Sequence, residues 1–199
     1  MFVCGMAGQI GSGKTTLGTF MAERFCGINL EVDQIGHLML EQPDIRRALA
    51  ATFGSSVRKA DGTVDRHELG RRAFVNKASI ALLNEIMHPP MVAEVKRIIA
   101  AEQARKTPLI VINAALLFTM HLDTLCEHSV YIRAAPDIRL QRLVTIRGLP
   151  IETARARLLA QDPEPPVSSR VSICTNDGTF DDLRSWIEEV LPSRLSFSE

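Results

Sequence analysis

Residues Gly5 to Phe20 read GMAGQIGSGKTTLGTF, and they follow directly on the apolar opening of the chain. Gly8, Gly13, Lys14 and Thr15 match G-x-x-x-x-G-K-[ST], placed after a predicted strand and at the start of a predicted helix, as that motif requires. Glycines at these positions let the backbone curl so that successive amide N–H groups point inward at phosphate oxygens. A helix beginning near Lys14 adds its positive dipole end. Lys14 then reaches the β and γ phosphates of a bound nucleoside triphosphate, and the Thr15 hydroxyl is offered to Mg²⁺. The bland alternative is a glycine-rich strand-to-helix turn with a surface lysine.

Outward from this loop, short apolar runs at Phe2 to Met6, Ile28 to Val32, Leu109 to Ala115, Ser129 to Ile132 and Val171 to Cys174 read as buried strands. Helical periodicity fills the intervals, which predicts an α/β chain with a five-stranded parallel sheet covered by helices. Two intervals are too long for simple crossovers. Residues from about 43 to 105 read as a helical insert, with a turn at Ala60 to Gly62 and an interruption at His88-Pro89-Pro90, since proline cannot continue a helix interior. Residues from about 136 to 166 read as two short helices forming a lid, on which Arg139 and Arg142 share a face. Thr179 and Asp182 open the last helix as a variant of the capping box.

The second strand run ends near Glu31 and Asp33, two apart and therefore expected on one face of the sheet. In a parallel sheet the carboxyl ends of strands border the ligand crevice. A carboxylate there can take the proton of an acceptor hydroxyl or hold Mg²⁺ through water. Asp33 reads equally well as the N-cap of the helix that follows.

Lys+Arg and Asp+Glu both number 23, so no bulk field draws the chain to nucleic acid or to an anionic membrane. No apolar run approaches the ~20 residues needed to span a bilayer. Cys4, Cys26, Cys126 and Cys174 lie far apart without metal-ligand spacing, which argues against zinc and disulfides and for a reducing cytoplasm. The opening MFVCGMAG lacks a basic leader and reads as a strand rather than a signal peptide.

Several segments taken in order resemble the dephospho-coenzyme A kinase family. GMAGQIGSGKTT is similar to that family's TGGIGSGKST, and EVDQIGHLML to DADxIAxxxx. FGSSVRKADGTVDRHELGRRAF is similar to FGxxILxxDGxLDRxxLxxxxF, LNEIMHPPMVAEV to LxxIxHPxVxxxx, and APDIRLQRL to xPExQLxRL. TNDG stands where the family has DNxG.

The resemblance implies a P-loop NTPase three-layer sandwich forming one domain over 1–199. It also implies ATP-dependent phosphorylation of the ribose 3′-hydroxyl of dephospho-coenzyme A. Carried over by position, Gly8, Gly11, Ser12, Gly13, Lys14, Thr15 and Thr16 would hold ATP, with Asn176 and Gly178 near the adenine. Asp33 would face the acceptor ribose as base, and Arg142 would reach the phosphates. Asp65, Arg66 and His88 would shape the substrate side; their bland readings are a helix cap, a solvated cation and a local turn contact.

The chain departs from the family where DxPLLFE becomes NAALLFT, Asn113 to Thr119, losing an acid at a strand end. It departs again where RDGL becomes IRGL, with Ile146 at the arginine position and Arg147 one step, about 100°, around the helix. After Gln161, Glu164 is expected to repel phosphate, and Arg170 is the first base available. Two rival readings follow. One is a kinase for another nucleotide or nucleoside acceptor; the other is a regulator that binds nucleotide with weak or no transfer.

Overall fold

Alternation of large and small apolar residues makes Phe2–Gly8 a strand (β1) buried on both faces: Cys4 and Met6 point one way, Val3, Gly5 and Ala7 the other. The computed structural model describes residues 1–159, 164–165 and 168–190. After β1 come α1 (Lys14–Arg24), β2 (Ile28–Glu31), α2 (Val32–Met39), α3 (Pro43–Phe53), α4 (Arg66–Ala73) and α5 (Lys77–Ala104). Then follow β3 (Leu109–Asn113), β4 (His128–Arg133), α6 (Pro136–Thr145), α7 (Ile151–Leu159), β5 (Val171–Thr175) and α8 (Phe180–Val190). The five strands are all parallel in the order β2-β3-β1-β4-β5.

The chain divides into two compact units, one of residues Met1–Glu31 with Ala101 onward and the other of Val32–Ala100. In the first unit, register builds the core. Cys4 lies opposite Val111, and Met6 opposite Val130, so their side chains line one face with Leu109, Ile132 and Cys174. Leu17 and Met21 of α1 and Leu183 and Ile187 of α8 complete that cluster. On the opposite face Leu117 and Leu122 are fully buried, and a Cβ at Gly5 would stand 2.8 Å from Leu117. The reciprocal cap at α8 forms as expected: the Thr179 N–H donates to Asp182 Oδ2 at 2.7 Å and the Asp182 N–H to Thr179 Oγ1 at 3.3 Å.

The second unit is helical; it takes in α2 and the expected insert only as far as Ala100. Its turn forms at Lys59–Thr63, where the Lys59 N–H donates to the Thr63 carbonyl at 2.8 Å. Glu68 gathers α4 and its neighbours: it accepts from Arg71 at 2.8 Å, from Arg72 at 2.6 Å and from Ser56 at 3.2 Å. The Arg71 and Arg72 hydrogen bonds hold its carboxyl well below the usual range. Arg72 also donates at 2.7 Å to the Phe53 carbonyl at the end of α3.

Two expectations are corrected here. Pro89 and Pro90 do not interrupt the helix, because α5 runs through them. Adjacent prolines remove the two N–H groups that would face the Glu85 and Ile86 carbonyls and crowd those carbonyls with their rings, a cost confined to one turn of a long helix. The helix is held from either side: Asn76 Oδ1 accepts the Ser79 N–H at 2.8 Å, and Met87, Met91 and Val95 form a buried stripe across the prolines. The second correction concerns Glu31 and Asp33, which do not share a strand face. Helical periodicity takes over at Val32, which is buried along with Ile35 and Met39, so Asp33 lies inside the first turn of α2 and not at its N-cap.

Candidate active site

The phosphate loop is shaped by what its glycines touch. Gly8 adopts φ +147°, and a Cβ there would stand 2.1 Å from the Ile132 carbonyl of β4, so only glycine fits. Gly13 caps α1 at φ +97°, with no side chain bonding the helix N-terminus and no acidic residue in the first turn. No capping or acidic side chain therefore competes with an anion at that turn, where the helix dipole favours one.

Lys14 Nζ folds back on the loop, donating 2.7 Å to the Gly8 carbonyl and 3.0 Å to the Gln9 carbonyl. Ser12 is fully buried, and its Oγ has no partner among the described residues. Thr15 and Thr16 are exposed on the first turn of α1.

Arg142 of α6 closes on this loop. Its Nη1 donates to the Asn176 carbonyl at 3.0 Å and the Gly11 carbonyl at 3.5 Å, and its Nη2 reaches Asn176 Oδ1 and the Gly178 carbonyl at 3.4 Å. Arg139, expected beside it, is instead 5% exposed, with Nε donating 3.0 Å to the Ala134 carbonyl and Nη1 buried without a partner among the described residues. Burial lowers its guanidinium pKa from the ordinary value. A cavity of about 400 Å³ adjoins it, lined in part by Gln9, Arg133, Glu164 and Asp177. Glu164 pairs with Arg133 at 3.5 Å, and Arg170 donates to the Cys126 carbonyl, so both are engaged with the protein itself. Ile146, at the position where the lid pattern has arginine, is 77% exposed. Residues 160–163 and 166 of the expected lid lie outside the described residues.

For a divalent cation the first unit supplies little of its own. Asn113, at the end of β3, is buried and neutral, with Glu31 opposite it in the β2–β3 register. No group of three or more His, Cys, Asp or Glu able to hold a metal occurs among the described residues. The Thr15 hydroxyl fits a Mg²⁺ that arrives on a triphosphate, since that ion keeps several waters and needs only one or two protein ligands.

The remaining candidates lie in the second unit. Asp33 is exposed on α2, and no bond of its carboxylate occurs among the described residues. Asp65 caps α4, its Oδ1 accepting from the His67 and Glu68 N–H groups at 3.0 Å each. Arg66 Nη2 lies 2.5 Å from His37 Nε2 of α2. His88 sits half-buried within α5, and burial lowers its imidazole pKa.

A P-loop with an uncapped helix behind it and an arginine over it is common to many kinases, and the comparisons narrow it. The family model for dephospho-CoA kinase matches residues 2–182. The chain belongs to the dephospho-CoA kinase family. The dephospho-CoA kinase of Chlorobaculum tepidum is 34% identical over 98% of this chain and 96% of its own length. That of Lactobacillus johnsonii is 30% identical over 96% of each chain. A crystal structure from Thermus thermophilus superposes with a TM-score of 0.76 at 25% identity, covering 96% of this chain and 97% of its own. The Campylobacter jejuni dephospho-CoA kinase shares the fold, with a TM-score of 0.58 at 18% identity over 96% of each chain. Family membership makes the chain a phosphotransferase with ATP as a substrate and places its reaction, the phosphorylation of dephospho-CoA, in coenzyme A biosynthesis.

The family pattern implies a place for Asn176 near the adenine, whereas the side chain lies against the phosphate loop, and nothing in the local sequence marks Arg139 as buried. A cation on a short helix ordinarily reads as solvated.

Proposed function

We propose that the γ-phosphoryl group of ATP passes to the ribose 3′-hydroxyl of dephospho-CoA, with the residues of the phosphate loop as the donor site and Asp33 as the base. The N-terminus of α1 carries this reading: it has no capping side chain, Lys14 folds onto the loop beside it and the Thr15 hydroxyl is exposed, the donor types a triphosphate needs.

The transition state of phosphoryl transfer is largely dissociative, so the protein's task is positioning and charge. Gly8, Gly11, Ser12, Gly13 and Thr16 cradle the phosphates, and Lys14 leaves the Gly8 and Gln9 carbonyls for the β and γ oxygens. Asp33 orients the acceptor hydroxyl in line and takes its proton. The Thr15 hydroxyl would hold Mg²⁺, and that ion would supply charge screening for the phosphate oxygens. Arg142 adds a cation, and Asn176 and Gly178 border the base. Asp65, Arg66 and His88, within the helical unit, shape the acceptor side. Closure of α6 and α7 as a lid excludes water, which otherwise competes as acceptor.

No helix among the described residues is long and apolar enough to cross a membrane, and all four cysteines are free. We place the enzyme in the cytoplasm on the second point.

The test is a coupled ADP-release assay with Mg-ATP, comparing dephospho-CoA with AMP, CMP, adenosine and no acceptor. ADP formed only with dephospho-CoA is the expected result. Turnover on another acceptor refutes the substrate, and ATP binding without turnover on any acceptor refutes the transfer.

A further inference from the structure

Asn176 is 7% exposed, and each of its polar groups is committed within the first unit. Its Nδ2 donates to the Ser12 carbonyl at 2.7 Å, and its backbone N–H donates to the Arg133 carbonyl at 2.8 Å. Its carbonyl and Oδ1 both accept from Arg142, at 3.0 and 3.4 Å. A Cβ on Gly13 would stand 2.5 Å from Nδ2, so the glycine also clears the path by which the amide reaches the loop.

In a trans peptide the C=O and the following N–H point in opposite directions. Holding the Ser12 carbonyl outward, on Asn176, therefore turns the Gly13 N–H the other way. The buried Ser12 carbonyl also needs a donor, which the amide supplies.

We infer that Asn176 is a positioning residue: it orients the Ser12–Gly13 peptide toward the phosphates and ties Arg142 to the phosphate loop through one carboxamide. This goes beyond a place at the adenine. It needs a donor on one side of the side chain and an acceptor on the other, which asparagine has and aspartate lacks. Aspartate would set an oxygen against the Ser12 carbonyl.

The experiment is titration of the full-length wild type and of Asn176→Asp with inorganic tripolyphosphate, ATP and adenosine, alongside thermal unfolding. Tripolyphosphate and ATP affinities are expected to fall at least ~10-fold, the scale of leaving a buried carbonyl unpaired, while adenosine stays within about twofold. Asn176→Ser shortens the side chain without adding charge and is expected to give the same split. Loss of adenosine affinity with tripolyphosphate unchanged overturns the inference in favour of a base contact. Equal loss for all three ligands with a lowered unfolding midpoint overturns it in favour of a role in folding alone. No change for any ligand also overturns it. The inference rests on the loop being a triphosphate cradle. A wild type that fails to bind tripolyphosphate sinks that reading, whereas a wild type and variant that bind it alike sink only the role of Asn176.

Discussion

Replacing Lys14 by alanine tests the cradle where its resting state is most informative. In the free protein the ammonium donates to the Gly8 and Gln9 carbonyls. Hydrogen bonds to a charged group are worth about 1.5–3 kcal/mol each. When ATP binds, these two are exchanged for bonds to phosphate oxygens, so the net gain in ground-state affinity is small. The gain grows only as charge shifts during transfer, and loss of one such preorganised donor costs about 2.7–4 kcal/mol, or 10²–10³ in rate. We therefore expect Lys14→Ala to lower kcat at least ~100-fold and to weaken ATP binding no more than ~10-fold. The side chain is only half-buried, and water can solvate the two carbonyls it leaves. The unfolding midpoint should then fall by less than about 5 °C. Coupled ADP release, ATP titration and thermal unfolding measure the three quantities. A variant within tenfold of wild type in both kcat and ATP affinity refutes the cradle as the donor site. Lost affinity at constant kcat shows that Lys14 acts on the ground state alone.

Asp33→Asn should slow transfer at least ~100-fold with ATP affinity within about twofold, read from the same two assays; equal loss in both would make the carboxylate structural. Ile146→Arg restores a cation on an exposed position of the lid and should raise kcat/KM for ATP by about tenfold with little change in stability, whereas an unchanged rate would show that this position plays no part in transfer. Burial pushes the Cys126 thiol up to about 12 and the Cys174 thiol to about 11. Both folded values lie above the unfolded ~8.5, so the stability they contribute is intact below that pH and is lost as pH rises toward 11–12. Unfolding midpoints should fall between pH 8 and pH 10.5, less steeply in Cys174→Ala, and thiol labelling of the native protein should begin at the exposed Cys26.

The sheet was legible because parallel strands covered by helices read as short apolar runs, continuous in the buried central β1 and β3, and the five runs became the five strands of the sheet. The ends were less so: β1 extends to Gly8 and β2 stops at Glu31, since strand ends are settled by neighbours in register rather than by local composition. The proline rule failed at Pro89 and Pro90 for a related reason, because Met87, Met91 and Val95 of the same helix are buried on either side of the prolines, and burial outweighs a local propensity. At the site, what could be read along the chain was the spacing of Gly8, Gly13 and Lys14. What could not be read was contact across the chain. Asn176 meets Ser12 across 164 residues, and nothing near either residue announces the pairing. The same distinction bears on the departures from the family pattern. Read along β3, Asn113 is simply a lost acid. Read across the sheet, it stands opposite Glu31, so a carboxylate persists at that edge, one strand over. Charge lost in one strand and present in its neighbour is invisible to a linear motif but not to an ion held at the strand ends, because the Coulomb interaction depends on distance and not on chain order.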